Sequence, residues 1–179
     1  KLNRHAEATS LYEDLLKRSV TDAKIKTGAI KFFLSFEQFQ QGNLTDAWRN
    51  YEAGFSPDVR LASRRNPPRQ FKAPLWQGEP LEGRRLLVWR EQGLGDELMF
   101  LAAMSDLLAR ESANIILECD NRLVSILQRS FPDVEVRPQY FDPLSMQSKE
   151  DYEFQVPLGT LVGLYRKDIL DFSNRYSIS

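Results

Sequence analysis

The apolar positions in the first 55 residues recur at helical spacing. Three segments show this pattern, at about residues 5–17, 22–41 and 45–55. The second segment is the richest in large apolar side chains, and Gly42, a residue type that commonly follows a helix, comes directly after it. We therefore predict three helices here, the second of which carries four aromatic residues, Phe32, Phe33, Phe36 and Phe39.

From residue 84 the pattern changes to short apolar runs that alternate with helical stretches. Four strands are predicted, at 86–89, 114–119, 134–137 and 152–156. The helices between and after them are expected at 96–110, at 120–129 with Asp120 as its cap, and at 158–165. Within 96–110 we expect the inward residues to be Leu98, Leu101, Ala102, Leu107 and Leu108. This alternation predicts a Rossmann-like α/β domain with a parallel sheet and right-handed crossovers.

A stretch rich in proline and basic residues separates the two patterns. The prolines are incompatible with a long helix and with a central strand. The predicted organisation is therefore a helical segment at 1–57, a connector at 58–83 and an α/β domain at 84–179. In one interpretation the connector is extended and docks Phe71 and Trp76 on its neighbours. In the other it binds anions through its basic residues, Arg60, Arg64, Arg65, Arg69 and Lys72.

Composition narrows the classes of function. The formal net charge is −1, from 24 basic and 25 acidic residues, which gives no electrostatic case for nucleic acid as a partner. A single cysteine, Cys119, excludes an internal disulfide and fits a reducing, cytoplasmic location. With His5 as the one histidine, histidine-pair metal sites and most histidine-based triads are excluded, so no metal is expected. No apolar run approaches the ~20 residues of a membrane span.

The turn after the first predicted strand, residues 91–96, carries the candidate chemistry. In proteins with open parallel sheets, ligands bind at the carboxyl ends of the strands. The two glycines of this turn permit positive φ and let a ligand approach the backbone closely. The dinucleotide-binding fingerprint needs a third glycine where this chain has Leu98. Asp96 would also bring negative charge towards the pyrophosphate. Both observations count against a dinucleotide site. A P-loop is excluded because no Gly-Lys-Ser/Thr follows. Asp96 has two compatible interpretations: a helix cap worth ~1 kcal/mol, or a carboxylate that takes a substrate's proton.

Two helical segments share one spacing. Ala8, Tyr12 and Leu15 are spaced like Ala47, Tyr51 and Gly54, and Leu34 and Gly42 precede the second set. This arrangement resembles the tetratricopeptide repeat (TPR), in which small residues let paired helices approach. The offset of 39 positions differs from the repeat's 34, so we predict one good repeat at 31–57 after the second helix of an irregular one. A generic helical hairpin is the alternative.

The segment WQGEPLEGRRLLVWREQGLGDELMF, residues 76–100, resembles TPR-containing bacterial proteins with a glycosyltransferase-like domain. Residues 117–119, 123–124 and 151–161 are also similar to that family, so the resemblance covers nearly the whole chain. The glycosyltransferase-like domain is similar to the heptosyltransferases of glycosyltransferase family 9. The resemblance implies the amino-terminal half of a GT-B fold, which consists of two Rossmann-like domains.

The same resemblance implies inverting glycosyl transfer with Asp96 as general base. The binding site for the acceptor, which is a sugar or a protein, would be lined by five residues, Glu91, Gln92, Gly93, Leu94 and Gly95. The nucleotide-activated sugar would bind a second domain, for which there is no room after Tyr165. We therefore expect no cofactor on this chain and no activity from it alone.

Two further hypotheses come from other classes. One is a non-enzymatic interaction module that binds a protein partner, or associates with itself, through the helical segment. The other is a small-nucleotide binder at residues 93–96.

Overall fold

The computed structural model describes residues 4–60, 65, 69–140 and 149–172, and these show helices followed by an all-parallel, four-stranded sheet. The predicted α/β class with a Rossmann-like parallel sheet is therefore confirmed. The described residues form two compact units. One contains the chain through residue 65 together with 166–172, and the other contains 69–165. Arg64, Pro67 and Pro68 of the predicted connector lie outside the described residues.

The first unit is built from three helices and a final turn. These are α1 (His5–Ser19), α2 (Thr27–Gln40) and α3 (Leu44–Tyr51), which continues into a 3₁₀ turn at Glu52–Phe55. Gly42 follows α2 with a φ of 76°, the left-handed conformation that ends helices. The side chain of Asn43 accepts the backbone N–H of Asp46 and so caps α3.

Small residues bring α2 and α3 together. Phe32 of α2 is fully buried, and its ring centroid lies 5.5 Å from that of Tyr51. Ala47 and Gly54 are buried on the same side, and a Cβ atom at Gly54 would lie only 2.5 Å from the Phe32 ring. The positions 47, 51 and 54, which share a spacing with positions in α1, therefore contact α2 from α3 and the 3₁₀ turn after it.

We predict that Gly54→Ala destabilises the helical unit by about 2 kcal/mol, because the added methyl overpacks a filled core. Urea unfolding followed by circular dichroism measures the change. Ala53→Ser, at a half-exposed neighbour, is the control and is expected to change stability by less than about 0.5 kcal/mol. An unchanged stability for Gly54→Ala would contradict this packing.

The sheet of the second unit has the strand order β3-β2-β1-β4. The strands are β1 (Arg85–Trp89), β2 (Asn114–Cys119), β3 (Glu135–Pro138) and β4 (Phe154–Pro157). β1 is central and pairs in parallel with both β2 and β4, with Val88 opposite Leu117 and Val156. All three of these residues are fully buried, as the continuous apolar runs predicted.

The helices of this unit follow the predicted order with one correction. They are α4 (Leu94–Phe100), α5 (Ala103–Arg110), α6 (Val124–Ser130) after a 3₁₀ turn at Asn121–Leu123, and α7 (Leu158–Tyr165). The single helix expected at 96–110 is thus two helices. Asp120 does cap the turn that leads into α6, because its side chain accepts the N–H of Arg122.

The predicted inward face of α4 and α5 is partly wrong. Leu98 is 51% exposed and Leu108 41%, and Ala102 is also exposed, whereas Leu101 and Leu107 are buried. The break between Phe100 and Ala103 interrupts the helical phase on which the prediction relied. The inward positions of α4 are instead Glu97 and Phe100.

Residues of the connector pack with the sheet. Trp76 is fully buried and donates its backbone N–H to Gln155 O at 2.9 Å, while Gln155 donates to Pro74 O. The ring of Phe71 lies 5.1 Å from that of Trp89. The structure therefore agrees with the docking interpretation of Phe71 and Trp76.

The described basic residues of the connector mostly have acidic partners in their own unit. Arg65 pairs with Glu52, Arg69 with Glu118 and Lys72 with Glu150. Arg60 is exposed. These ion pairs argue against the anion-binding interpretation, since paired guanidinium groups are not free to hold a ligand.

The chain returns to the first unit after α7. Trp48 of α3 donates its indole N–H to Arg166 O at 2.9 Å, and Thr45 donates its hydroxyl to Lys167 O at 3.1 Å. Residues 166–172, predicted to belong with the sheet, thus pack with the helices. Among the described residues, no helix has the length and apolarity that crossing a membrane requires.

Candidate functional site

The turn between β1 and α4 lies at the carboxyl edge of the sheet, as expected for residues 91–96. The backbone conformation differs from the expectation. Gln92, not a glycine, has the positive φ, at 61°, while Gly93 has a φ of −84°. The left-handed conformation of the turn therefore falls one residue before the glycines. A non-glycine residue in the left-handed region carries a conformational cost of about 1 kcal/mol.

Asp96 is exposed and acts as a cap of α4. Its Oδ2 accepts the backbone N–H of Gly93 at 3.1 Å, which satisfies one of the unpaired donors at the start of the helix. Gly93 has no side chain to complete a capping box. This bond fixes the carboxylate at the mouth of the turn, so the capping role and a chemical role remain compatible.

The space around Gly95 is open. A Cβ atom at this position would meet nothing within 4 Å, and its φ is not positive. Neither packing nor backbone conformation therefore requires glycine, although glycine in a helix costs ~1 kcal/mol relative to alanine. Close approach of a ligand to the backbone would account for it. Leu98 and Met99 are exposed on the same helix.

Glu91, predicted to line the acceptor, has a buried structural partner. Its side chain is fully buried, and Oε1 accepts the N–H of Gly159 in the first turn of α7 at 2.6 Å. The bond ties the end of β1 to the helix that follows β4. Gln92 and Leu94 are half-buried. The turn therefore offers a ligand its exposed parts, namely Gly93, Gly95 and Asp96.

Glu97 is a second buried carboxylate at this edge, and sequence reasoning missed it. Oε2 accepts from Arg90 Nε at 2.7 Å, and Oε1 accepts the N–H of Asp120 at 2.8 Å. The bonds join α4 to the ends of β1 and β2. The sequence did contain a signal, because Glu97 occupies a position on the side of α4 that faces the protein interior. A charged residue at such a position is usually buried and paired.

A third group of charges joins β2, β3 and the segment before β4. Arg137 of β3 binds Glu118 of β2 and forms two bonds with Asp151. The Arg137 guanidinium, with Lys149, holds the pKa of Asp151 at about 2. Arg69 Nη1 lies 2.8 Å from Glu118 Oε2, and both side chains are fully buried. These charges compensate one another within the fold.

Two further groups at this edge, Cys119 and Asp120, have shifted pKa values. Burial, followed by the nearby carboxylates of Glu97 and Asp120, raises the pKa of the Cys119 thiol to about 12, so Cys119 is not a nucleophile. Hydrogen bonds from Arg122 hold the pKa of the Asp120 carboxyl well below its usual range. Over the part of the chain that the structure describes, no group of three His, Cys, Asp or Glu residues could hold a metal ion.

The geometry thus defines an α/β protein with an open glycine turn and one exposed, backbone-anchored carboxylate at the carboxyl edge of its sheet. The chain is similar to Protein FlbA of Caulobacter vibrioides, with 36% identity over 97 residues. The match covers 53% of this chain and 16% of FlbA, so the chain spans about a sixth of that relative. No protein-family model and no solved structure matches the chain.

We predict that Gly95→Ala raises the stability of the α/β unit by about 0.5–1 kcal/mol, because alanine favours the helix and meets no neighbour. Thermal unfolding measures the change, with Gly78→Ala as the contrasting variant. Gly78 has a φ of 100°, so alanine there is strained and is expected to lower stability. A loss of stability in Gly95→Ala would show that the turn itself needs this glycine.

Proposed function

We propose that this chain is the acceptor-side part of an inverting glycosyltransferase that uses a nucleotide-activated sugar, with Asp96 as the general base. The observation that carries the proposal is the placement of Asp96. Its carboxylate is exposed, is fixed by the Gly93 N–H, and stands beside the open backbone of Gly95. A base must be held within reach of the proton it removes, and this anchoring provides that positioning.

In the proposed reaction Asp96 takes the proton of an acceptor hydroxyl as that oxygen attacks the anomeric carbon of the donor sugar. The bond between this carbon and the phosphate oxygen breaks, and the nucleotide phosphate leaves with the electron pair. Attack from the face opposite the leaving group inverts the anomeric configuration.

The other turn residues have separate parts in this proposal. Gly93 and Gly95 leave room for the acceptor, with Gln92 and Leu94 at its border. Glu91 acts through its buried bond to Gly159, which fixes the turn relative to α7. The donor is held by a second domain, so the isolated chain binds no nucleotide sugar. The acceptor is a sugar or a protein hydroxyl, and the buried single cysteine suits a cytoplasmic setting.

The alternative is a non-enzymatic interaction module, and one observation favours it. The carboxylates of Glu91, Glu97 and Asp96 each have a structural role at this edge, so the turn is explained without a substrate. The TPR-like helical unit would then supply the binding surface. The two functions differ in whether Asp96 is needed for sugar transfer.

We predict that Asp96→Asn lowers transfer at least about 100-fold in a protein that carries this chain together with a donor-binding domain. The asparagine oxygen still accepts the Gly93 N–H, so stability is expected to change by less than about 0.5 kcal/mol. Transfer of radiolabelled sugar and thermal unfolding measure the two effects. Asp96→Ala removes both roles and is the control that shows the cost of the cap. Full activity of Asp96→Asn would mean that Asp96 is only a cap.

We also predict that the isolated chain shows no saturable binding of nucleoside diphosphates or nucleotide sugars below about 1 mM in isothermal titration calorimetry. The reason is that the donor site lies elsewhere. Gly95→Ala is the matched variant, since it fills the open space at the turn. Tight binding that Gly95→Ala abolishes would overturn the proposal in favour of a nucleotide site at residues 93–96.

A further inference from the structure

The turn at residues 91–96 lies between two side chains that bond to each other. Arg90 directly precedes the turn and Glu97 directly follows it, and Arg90 Nε donates to Glu97 Oε2 at 2.7 Å. The side chain of Glu97 is fully buried, and that of Arg90 is 18% exposed. This bond closes the turn on itself, and we call the pair the Arg90–Glu97 clasp.

Both members of the clasp are fixed to the sheet. The backbone N–H of Arg90 donates to Glu118 O at 3.1 Å, and Arg90 Nη2 lies 3.7 Å from Asp120 Oδ2. Glu97 Oε1 accepts the backbone N–H of Asp120 at 2.8 Å. The ends of β1 and β2 thus hold the clasp, so it sets the position of the turn relative to a rigid part of the unit.

Gly93 connects the clasp to Asp96. Its carbonyl accepts the backbone N–H of Glu97 at 3.0 Å, and its own N–H donates to Asp96 Oδ2 at 3.1 Å. Asp96 and Glu97 are consecutive in the first turn of α4, and one is exposed where the other is buried. A shift of Glu97 would therefore move the backbone that carries Asp96 and loosen the bond that holds its carboxylate.

Stability alone does not account for a charged pair at this position. The other buried residue of α4, Phe100, is apolar. An apolar side chain is buried without the cost of removing charges from water, whereas a buried ion pair adds little net stability. What the pair adds is direction, because the N–H groups of Arg90 and Asp120 each fix one carboxylate oxygen of Glu97.

We propose that Glu97, through its bond to Arg90, is a positioning residue for Asp96 in sugar transfer. This inference rests on the proposed function, in which Asp96 is the general base. The clasp holds the first turn of α4 so that the Asp96 carboxylate keeps the distance and angle that removal of the acceptor proton requires. Misplacement of a catalytic group by about 1 Å can lower a rate about 100-fold. Glu91 has a separate part, since its bond to Gly159 fixes the turn to α7.

The first test measures kcat and the KM for the acceptor in a protein that carries this chain together with a donor-binding domain. Glu97→Gln keeps the size of the side chain and an oxygen for the Asp120 N–H, but removes the charge that binds Arg90. We expect kcat to fall about tenfold and KM to change less than about twofold, because the acceptor still binds while the base is displaced. Arg90→Lys, at a partly exposed position, keeps the charge but lacks the Nε–H, and is expected to lower kcat in the same way.

The matched control is Glu118→Gln. Glu118 is also a fully buried carboxylate, but its side-chain partners are Arg137 and Arg69, which lie outside the turn. Its kcat is expected to change less than about twofold, while thermal unfolding shows whether its loss of stability matches that of Glu97→Gln. An equal fall of kcat in the control would overturn the inference, because general destabilisation would then explain the effect. An unchanged kcat in both clasp variants would overturn it as well.

The second test needs no activity and uses this chain alone. Because Asp96 accepts the N–H of Gly93, hydrogen exchange of that amide, measured by NMR, reports how firmly the carboxylate is held. Glu97→Gln and Arg90→Lys are expected to speed this exchange about fivefold, and Glu118→Gln less than about twofold. Unchanged exchange in both clasp variants would contradict the positioning role even if the proposed function holds. Full activity of Asp96→Asn would remove its basis by the other route, because the proposed function itself would then fail.

Discussion

Two buried carboxylates hold the carboxyl edge of the sheet in one arrangement. Glu97 accepts from the Arg90 side chain and from the N–H of Asp120, and Glu91 accepts the N–H of Gly159. These side-chain bonds join the ends of β1 and β2 to the starts of α4 and α7, which the backbone hydrogen bonds of the sheet do not connect. Buried carboxylates are costly unless every bond is made, so this arrangement tolerates few alternatives.

The exposed part of the edge depends on that rigidity. Gln92 keeps a left-handed backbone between two fixed residues, and the turn then presents Gly93, Gly95 and Asp96 to solvent. Strain of this kind persists where the surrounding structure over-determines the conformation. A carboxylate that is both anchored and exposed suits proton transfer, which is why the proposed reaction is assigned to Asp96 and not to its buried neighbours.

The helical unit follows a different principle, in which small residues decide how closely helices approach. Ala47 and Gly54 let α3 lie against Phe32, and the Arg65 guanidinium stacks 4.4 Å over the Tyr51 ring. Ala8 and Tyr12 of α1 have the same spacing as Ala47 and Tyr51 but are only half-buried.

The sequence by itself determined the strands, most of the helices, the parallel sheet and the place of the turn, because the spacing of apolar residues and the positions of glycines are local properties. Leu86–Trp89 read as a buried strand from its unbroken apolar run, and Asp96 read as a cap from its place at a helix start. Only the tertiary structure decided which side chains turn inward. Glu91 and Glu97 are buried because Gly159, Arg90 and Asp120 come from distant parts of the chain to bind them. Leu98 is exposed for the same reason, since the paired acid beside it takes the inward position. Likewise, the sequence left open whether the arginines of the connector bind an anion, and the fold pairs Arg65 with Glu52 and Arg69 with Glu118.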